Sequence, residues 1–214
     1  MIQETIQCNL IQNPHRIVKF QYFENLVRYY RFFINFNPEL IEIAVEHFIG
    51  EHGLHSPDTK LRSRVSYLFS RFTKDLKNLV SKYVEKILNR IQDLLIIWSP
   101  LENKKNEAIL SADDQLFVYE TVSVLIVSSS LEPAVKSQLM KSLLAPTISC
   151  FQLLINKYCE ISDEEEKLVY AKCLNTAMSL SSRASKGFNN QIKIKDCNCA
   201  EIFLEILRIF IPVS

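Results

Sequence analysis

The sequence predicts an all-α protein, an α-solenoid of HEAT-like antiparallel helix pairs. Three observations carry this. Apolar residues recur at three- and four-residue steps over nearly the whole chain, as amphipathic helices require. The three glycines, Gly50, Gly53 and Gly187, and the seven prolines punctuate the periodic stretches. The stretches also come in pairs: first members begin near 14, 58, 112 and 162, second members near 38, 80, 133 and 199. That is a unit of about 45 to 50 residues, close to the HEAT period, and it favours a solenoid over a closed bundle.

The elements follow in order. Asn13-Pro14, Asn37-Pro38 and Ser56-Pro57 each set an N-cap residue before a proline, whose fixed φ suits the first helical position. They open helices over 14–35, 38–49 and 57–77. The first carries Ile17, Phe20, Phe23, Val27, Tyr30 and Ile34 at helical steps; the second carries Leu40, Ile43, Ala44 and Phe48 and ends at Gly50. A helix over 80–97 comes next. Ser111-Ala112-Asp113-Asp114 resembles a capping box and opens 112–129. Within it, 120–128 (ETVSVLIVS) is β-branched like a strand, but its length, its cap and its helical neighbours assign it to a buried helix. Helix 133–159 contains Pro146, which is expected to kink or split it. Ser162-Asp163-Glu164-Glu165 fits a capping box and opens 162–186, which Gly187 closes, and 199–211 is the last helix.

Length and composition bound the function. The 214 residues are read as one stretch, 1–214, of about four repeats. With 48% apolar and 23% charged residues the chain has the composition of an ordered globular protein. Its scarce, scattered glycines exclude a dinucleotide fingerprint and a P-loop. No apolar run reaches the ~18 to 20 residues of a membrane span, so no membrane insertion is expected. The opening MIQETIQCNL lacks the basic and apolar regions of a secretory signal. Cysteines 8, 150, 159, 173, 197 and 199 are read as reduced intracellular thiols. Cys197 and Cys199 form a lone C-x-C, and His52 and His55 have no cysteine nearby, so no metal is expected. There is no G-x-S-x-G elbow, and the paired carboxylates have capping explanations. No catalytic residue, cofactor or enzyme activity is expected.

Charge is more informative. Formal net charge is +1 overall. Residues 57–92, however, hold nine basic against three acidic residues, and residues 101–135 six acidic against two basic. At ~100° per residue, Lys60, Arg64, Tyr67, Arg71 and Lys74 fall on one narrow stripe of helix 57–77. Leu61, Val65, Leu68, Phe69, Phe72 and Leu76 fall on another, roughly 130° away. A cationic stripe interleaved with an aromatic suits phosphate backbones, since each contact releases counterions, and Tyr67 can stack on a base. Arg62 on the same helix, and Arg28 and Arg31 three residues apart on helix 14–35, join the candidate RNA-binding set. The bland alternative is a solvated helix face.

The segments RSRVSYLFSRFTKDLK, ILNRIQDLL, SADDQLFVYETVSVLIVSSS, ASKGF and CNCAEIFLEILRIFIP closely resemble, in order and spacing, the exportin-T family, the tRNA exportins of the karyopherin-β class. The resemblance covers roughly 15–213; the first dozen residues match poorly. It implies an internal piece of a longer HEAT solenoid. The whole receptor would bind tRNA together with GTP-bound Ran, meet nuclear pore proteins, shuttle between nucleus and cytoplasm, and release tRNA on GTP hydrolysis by Ran. The family's amino-terminal Ran-binding repeats have no counterpart in this chain. The other reading is a generic HEAT scaffold that grips a protein partner, for which the acidic window 101–135 is the candidate surface.

Overall fold

A computed structural model describes residues 2–101, 108–188 and 192–211. The α-helices are α1 (Ile2–Gln7), α2 (Arg16–Arg28), α3 (Tyr30–Asn35), α4 (Leu40–Ile49), α5 (Thr59–Val80), α6 (Val84–Arg90), α7 (Ala112–Ser128), α8 (Pro133–Glu160), α9 (Glu164–Ser185) and α10 (Ala200–Phe210). Short 3-10 turns occupy Leu10–Gln12, Ser81–Tyr83, Gln92–Leu95 and Ile194–Cys197, and no strand occurs among the described residues.

The helices form two layers. In one, α2, α5, α7 and α9 pack side by side in that order; in the other, α4, α6, α8 and α10 do the same. Packing of α4 on α5, α6 on α7 and α8 on both α7 and α9 joins the layers around one continuous core. Chain direction alternates between the layers, so neighbours within a layer run parallel. Arg16 meets Asp58, Glu24 meets Arg64, and the ring of Phe33 meets that of Phe72 at 5.5 Å. This is the all-α solenoid that the sequence predicts, and the β-branched 120–128 segment is helical, with most of its side chains buried.

The boundaries differ in instructive ways. The expected 14–35 helix is broken at Tyr29 (φ −104°, ψ 31°), giving α2 and α3. Its cap is His15, whose Nδ1 accepts from the Ile17 N–H at 3.3 Å; Asn13 instead holds the His15 N–H at 2.8 Å. Asp58, not Ser56, caps α5, and Asp163, not Ser162, caps α9; in each the carboxylate takes the free N–H groups. Leu40 and Ile41 bond back to the carbonyls of Asn37 and Pro38, so α4 starts two residues late. The expected 80–97 helix is short, because α5 runs on to Val80 through a non-helical Leu76 and the chain after α6 tightens into a 3-10 turn. There α7 supplies the hydrogen bonds that helix would have made. Gln115 Nε2 donates to the Leu94 and Ile96 carbonyls at 3.0 and 2.7 Å, and the Tyr119 hydroxyl donates to Leu95 at 3.2 Å.

Pro146 does not split its helix: α8 continues from Pro133 to Glu160 without a break. The proline forfeits one backbone bond, and packing on α7, α9 and α10 holds the rest. By length and composition α8 is apolar enough to cross a membrane, contrary to the expectation from apolar runs. Its inward face, with Met140, Leu143, Leu144, Phe151 and Leu154, lies in the core, and Lys136, Lys141 and Lys157 interrupt it, so its apolar character has a packing explanation. Gly187 lies close against α7, since a Cβ there would lie 2.3 Å from Ser123 Oγ and 2.9 Å from the Ser123 carbonyl carbon.

Candidate nucleic-acid interface

The candidate surface is built on α5. Its N-cap, Asp58, accepts from Lys60 N–H at 3.0 Å and Leu61 N–H at 3.2 Å, and Arg16 Nη1 reaches it at 3.4 Å. Desolvation pushes the Asp58 carboxyl up, but these bonds and the Arg16 charge outweigh it and hold its pKa below the usual value. Leu61, Val65, Leu68, Phe69, Phe72 and Leu76 are buried and fix the helix against α2, α4 and α7. That rotation leaves Lys60, Arg64, Arg71 and Lys74 exposed, with Tyr67 half-buried among them.

Tyr67 organises the stripe. The Arg64 guanidinium lies 5.2 Å from its ring centroid, Arg71 Nη1 donates to its hydroxyl at 3.4 Å, and the Phe117 ring of α7 meets it edge-on at 5.7 Å. Arg64 is also ion-paired with Glu24 of α2, its Nε donating to Oε1 at 2.9 Å. Among the described residues no carboxylate pairs with Arg28, Lys60, Arg71 or Lys74.

The remaining candidates sit apart from the stripe or beside it. Arg62 is half-buried and points to the α4–α5 turn, where Nη1 donates to the Ser56 carbonyl at 2.7 Å. Arg28 and Arg31 are exposed but belong to different helices, because the chain breaks at Tyr29 between them. Arg31 Nε donates to the Tyr30 hydroxyl at 3.4 Å. The α2–α5 pairings at sequence offsets of 42 and 40 residues set the register of the two parallel helices. Continued along the axis, that register sets Arg28 and Arg31 at about the level of Leu68 and Arg71.

Two groups on the surface escape a single-helix wheel. One is Glu24, which restrains Arg64. The other is the wall from α7, where Phe117 is exposed while Asp114 is buried, accepting from Ser63 Oγ at 2.8 Å and Ser111 Oγ at 2.7 Å. The exposed aromatic on an otherwise buried helix was the available signal. The acidic window disperses: Glu120 pairs with Arg183 at 2.9 Å, Asp114 is buried, and Glu102, Lys104, Lys105 and Glu107 lie outside the described residues.

The histidines are engaged in structure. His52 bonds Gln12 at 3.1 Å and Lys19 at 3.4 Å; His55 bonds the Ile49 carbonyl at 2.6 Å and Asp93 at 3.0 Å. None of the six cysteines is in a disulfide, and burial, with Cys197 adding to it, pushes the Cys199 thiol up to about 11. Among the described residues no three His, Cys, Asp or Glu side chains gather as a metal site.

Fold and surface together define a class: a helical-repeat solenoid with a cationic, aromatic-centred ridge along one layer. The family model for Exportin-T matches residues 1–212, and the chain belongs to the exportin-T family. It is 41% identical to the Exportin-T of Homo sapiens over 212 residues, 99% of this chain and 22% of that protein. It is 40% identical to the Exportin-T of Danio rerio with the same coverage, and 25% identical to that of Dictyostelium discoideum over 89% of this chain and 17% of that protein. The chain thus spans about a fifth of the length of these curated relatives. The match begins at residue 1, earlier than the sequence reading placed it, and α1 packs on α2 with Ile6 in the core.

Proposed function

We propose that this chain is part of a nuclear export receptor for tRNA, a stretch of about four HEAT-like repeats within a longer solenoid, and that α5 contributes a tRNA backbone contact. The observation that carries the site is the set of exposed cations Lys60, Arg71 and Lys74, which have no carboxylate partner among the described residues and share the stripe of α5 that carries Tyr67. Family membership supports the export role, since the relatives are named Exportin-T, and the resemblance to tRNA exportins implies the cargo. GTP-bound Ran and nuclear pore proteins are the partners of the whole receptor, which shuttles between nucleus and cytoplasm. The chain acts by binding and release, with no chemical step of its own.

Phosphate contacts position an RNA without reading its sequence, so this surface suits recognition of tRNA by shape. The rival is a protein-binding scaffold using the acidic window 101–135; within it Glu120 pairs with Arg183 and Asp114 is buried in its own network, while Asp113 and Glu132 are exposed. The test is crosslinking of tRNA to the full-length protein, mapped to peptides. Crosslinks within 59–80 and 16–35 support the assignment; crosslinks confined to segments outside this chain would refute it.

A further inference from the structure

His55 lies in the turn between α4 and α5 and reaches two elements through its two ring nitrogens. Nδ1 is 2.6 Å from the carbonyl of Ile49, the last residue of α4, and Nε2 is 3.0 Å from Oδ1 of Asp93, in the 3-10 turn after α6. A carbonyl and an ionised carboxylate can only accept, so both contacts are hydrogen bonds only when both nitrogens carry a proton. A neutral imidazole has one N–H; the imidazolium has two. The surroundings suit the cation. The C-terminal end of α4 favours positive charge, and Asp93 supplies the countercharge. The His55 side chain is 16% exposed, that of Asp93 46%.

We propose that His55 is a pH-sensitive clamp between successive helix pairs: as the imidazolium it ties the α4–α5 turn to the turn after α6, and as the neutral ring it keeps Ile49 and releases Asp93. The asymmetry follows from freedom of movement. The Ile49 carbonyl is fixed in a helix end, whereas the half-exposed Asp93 carboxylate can rotate into water once Nε2 turns a lone pair toward it. The proton therefore leaves from Nε2 and goes to solvent, and the ring remains as the Nδ1–H tautomer. Other charged groups on these elements are engaged or do not titrate in the histidine range. In the same turn as His55, His52 is held by Gln12 and Lys19, and Glu51 stays ionised. On α5, Asp58 is the N-cap and Arg62 donates to the Ser56 carbonyl at 2.7 Å. On α6, Glu85 and Arg90 keep fixed charge, and Lys86 pairs with Glu46 and Glu42 of α4 at 2.5 and 2.9 Å. Those two carboxylates raise the Lys86 pKa above its ordinary value, so this second tie between α4 and α6 stays charged while histidines titrate.

The test is nuclear magnetic resonance of the chain labelled with 15N at histidine, followed from about pH 5 to about pH 9, a range that spans histidine protonation. Replacing each of the four histidines by Gln in turn assigns the signals. The His55 ring should pass from protonation on both nitrogens to the Nδ1–H tautomer. Asp93→Asn keeps the shape of the side chain and removes its charge, and its amide can donate to a bare Nε2. It should therefore move the His55 transition to lower pH. Thermal unfolding gives a second readout. Asp93→Asn should lower Tm by about 2 to 4 °C at the acid end, and the difference from wild type should vanish at the alkaline end, where the clamp is already open. Comparing the two proteins at each pH cancels the titration of His15, His47 and His52. A neutral His55 ring protonated at Nε2, a transition that Asp93→Asn leaves in place, or a Tm loss equal at both ends would each overturn the clamp.

Discussion

Arg64 of α5 turns back onto Glu24 of α2, with its Nε 2.9 Å from Oε1, while its guanidinium stays over the Tyr67 ring. The central cation of the stripe is therefore shared between a carboxylate and an aromatic. A phosphate arriving at this surface must compete with Glu24 for Arg64, whereas Lys60, Arg71 and Lys74 stand ready.

Replacing Glu24 by Gln should accordingly strengthen RNA binding. One more available cation should steepen the salt dependence by ~0.7 to 0.9 in log–log slope. Folding stability should shift by less than about 1 kcal/mol, since both partners of the pair are partly exposed. Titration of tRNA at two salt concentrations checks it; weaker binding by Glu24→Gln would show that Glu24 positions Arg64 and does not restrain it.

His47 gives the fold a pH dependence. Burial, and the nearby His52, hold its pKa below 6.5 against the opposing pull of Glu46, and its Nδ1 lies 2.5 Å from the Tyr22 hydroxyl. The folded state therefore keeps His47 neutral, while the unfolded chain takes up a proton once pH falls below 6.5. Stability from this group is complete above 6.5 and declines as pH drops from there toward the lowered folded value. Unfolding midpoints of wild type and His47→Gln between pH 7.5 and 5.5 should show a smaller acid loss for the variant; parallel curves would contradict it.

Gly187→Ala should destabilise the α7–α9 contact. The new Cβ would meet Ser123 Oγ at 2.3 Å and the Ser123 backbone at 2.9 and 3.0 Å. Overpacking of this kind costs about 1 to 3 kcal/mol, a fall of roughly 2 to 12 °C in Tm for a chain of this size. Ser123→Ala in the same chain should not rescue it, because the backbone obstruction remains; full rescue would place the clash at the hydroxyl alone.

Most of the architecture was legible because helical periodicity and punctuation are local. The α7 segment rich in Val and Ile declared itself by its Ser111 cap and its length, against its own β-branched composition. What the sequence could not show depends on contacts between elements. The break at Tyr29 leaves the apolar period of 14–35 undisturbed. The early end of α6 goes with Gln115 and Tyr119 reaching across to the carbonyls of Leu94, Leu95 and Ile96 beyond it. The same holds for the site. The wheel correctly separated the exposed cations of α5 from its buried face, yet Arg62 bonds the Ser56 carbonyl, and Glu24, Asp114 and Phe117 enter only from neighbouring helices.

The most direct test of the account is reversal of Arg71 and Lys74 to glutamate in the full-length protein. Both are exposed and without a carboxylate partner among the described residues, so reversal disturbs no ion pair, unlike Arg64. Surface changes of this kind stay within ~0.5 kcal/mol of stability. The measurement is tRNA affinity at two salt concentrations, wild type against Arg71→Glu with Lys74→Glu. The account predicts a fall of tenfold or more near physiological salt and a salt slope shallower by ~1.4 to 1.8, alike for different tRNAs. Affinity and slope both equal to wild type would mean that the α5 stripe is a solvated face and that tRNA is held elsewhere.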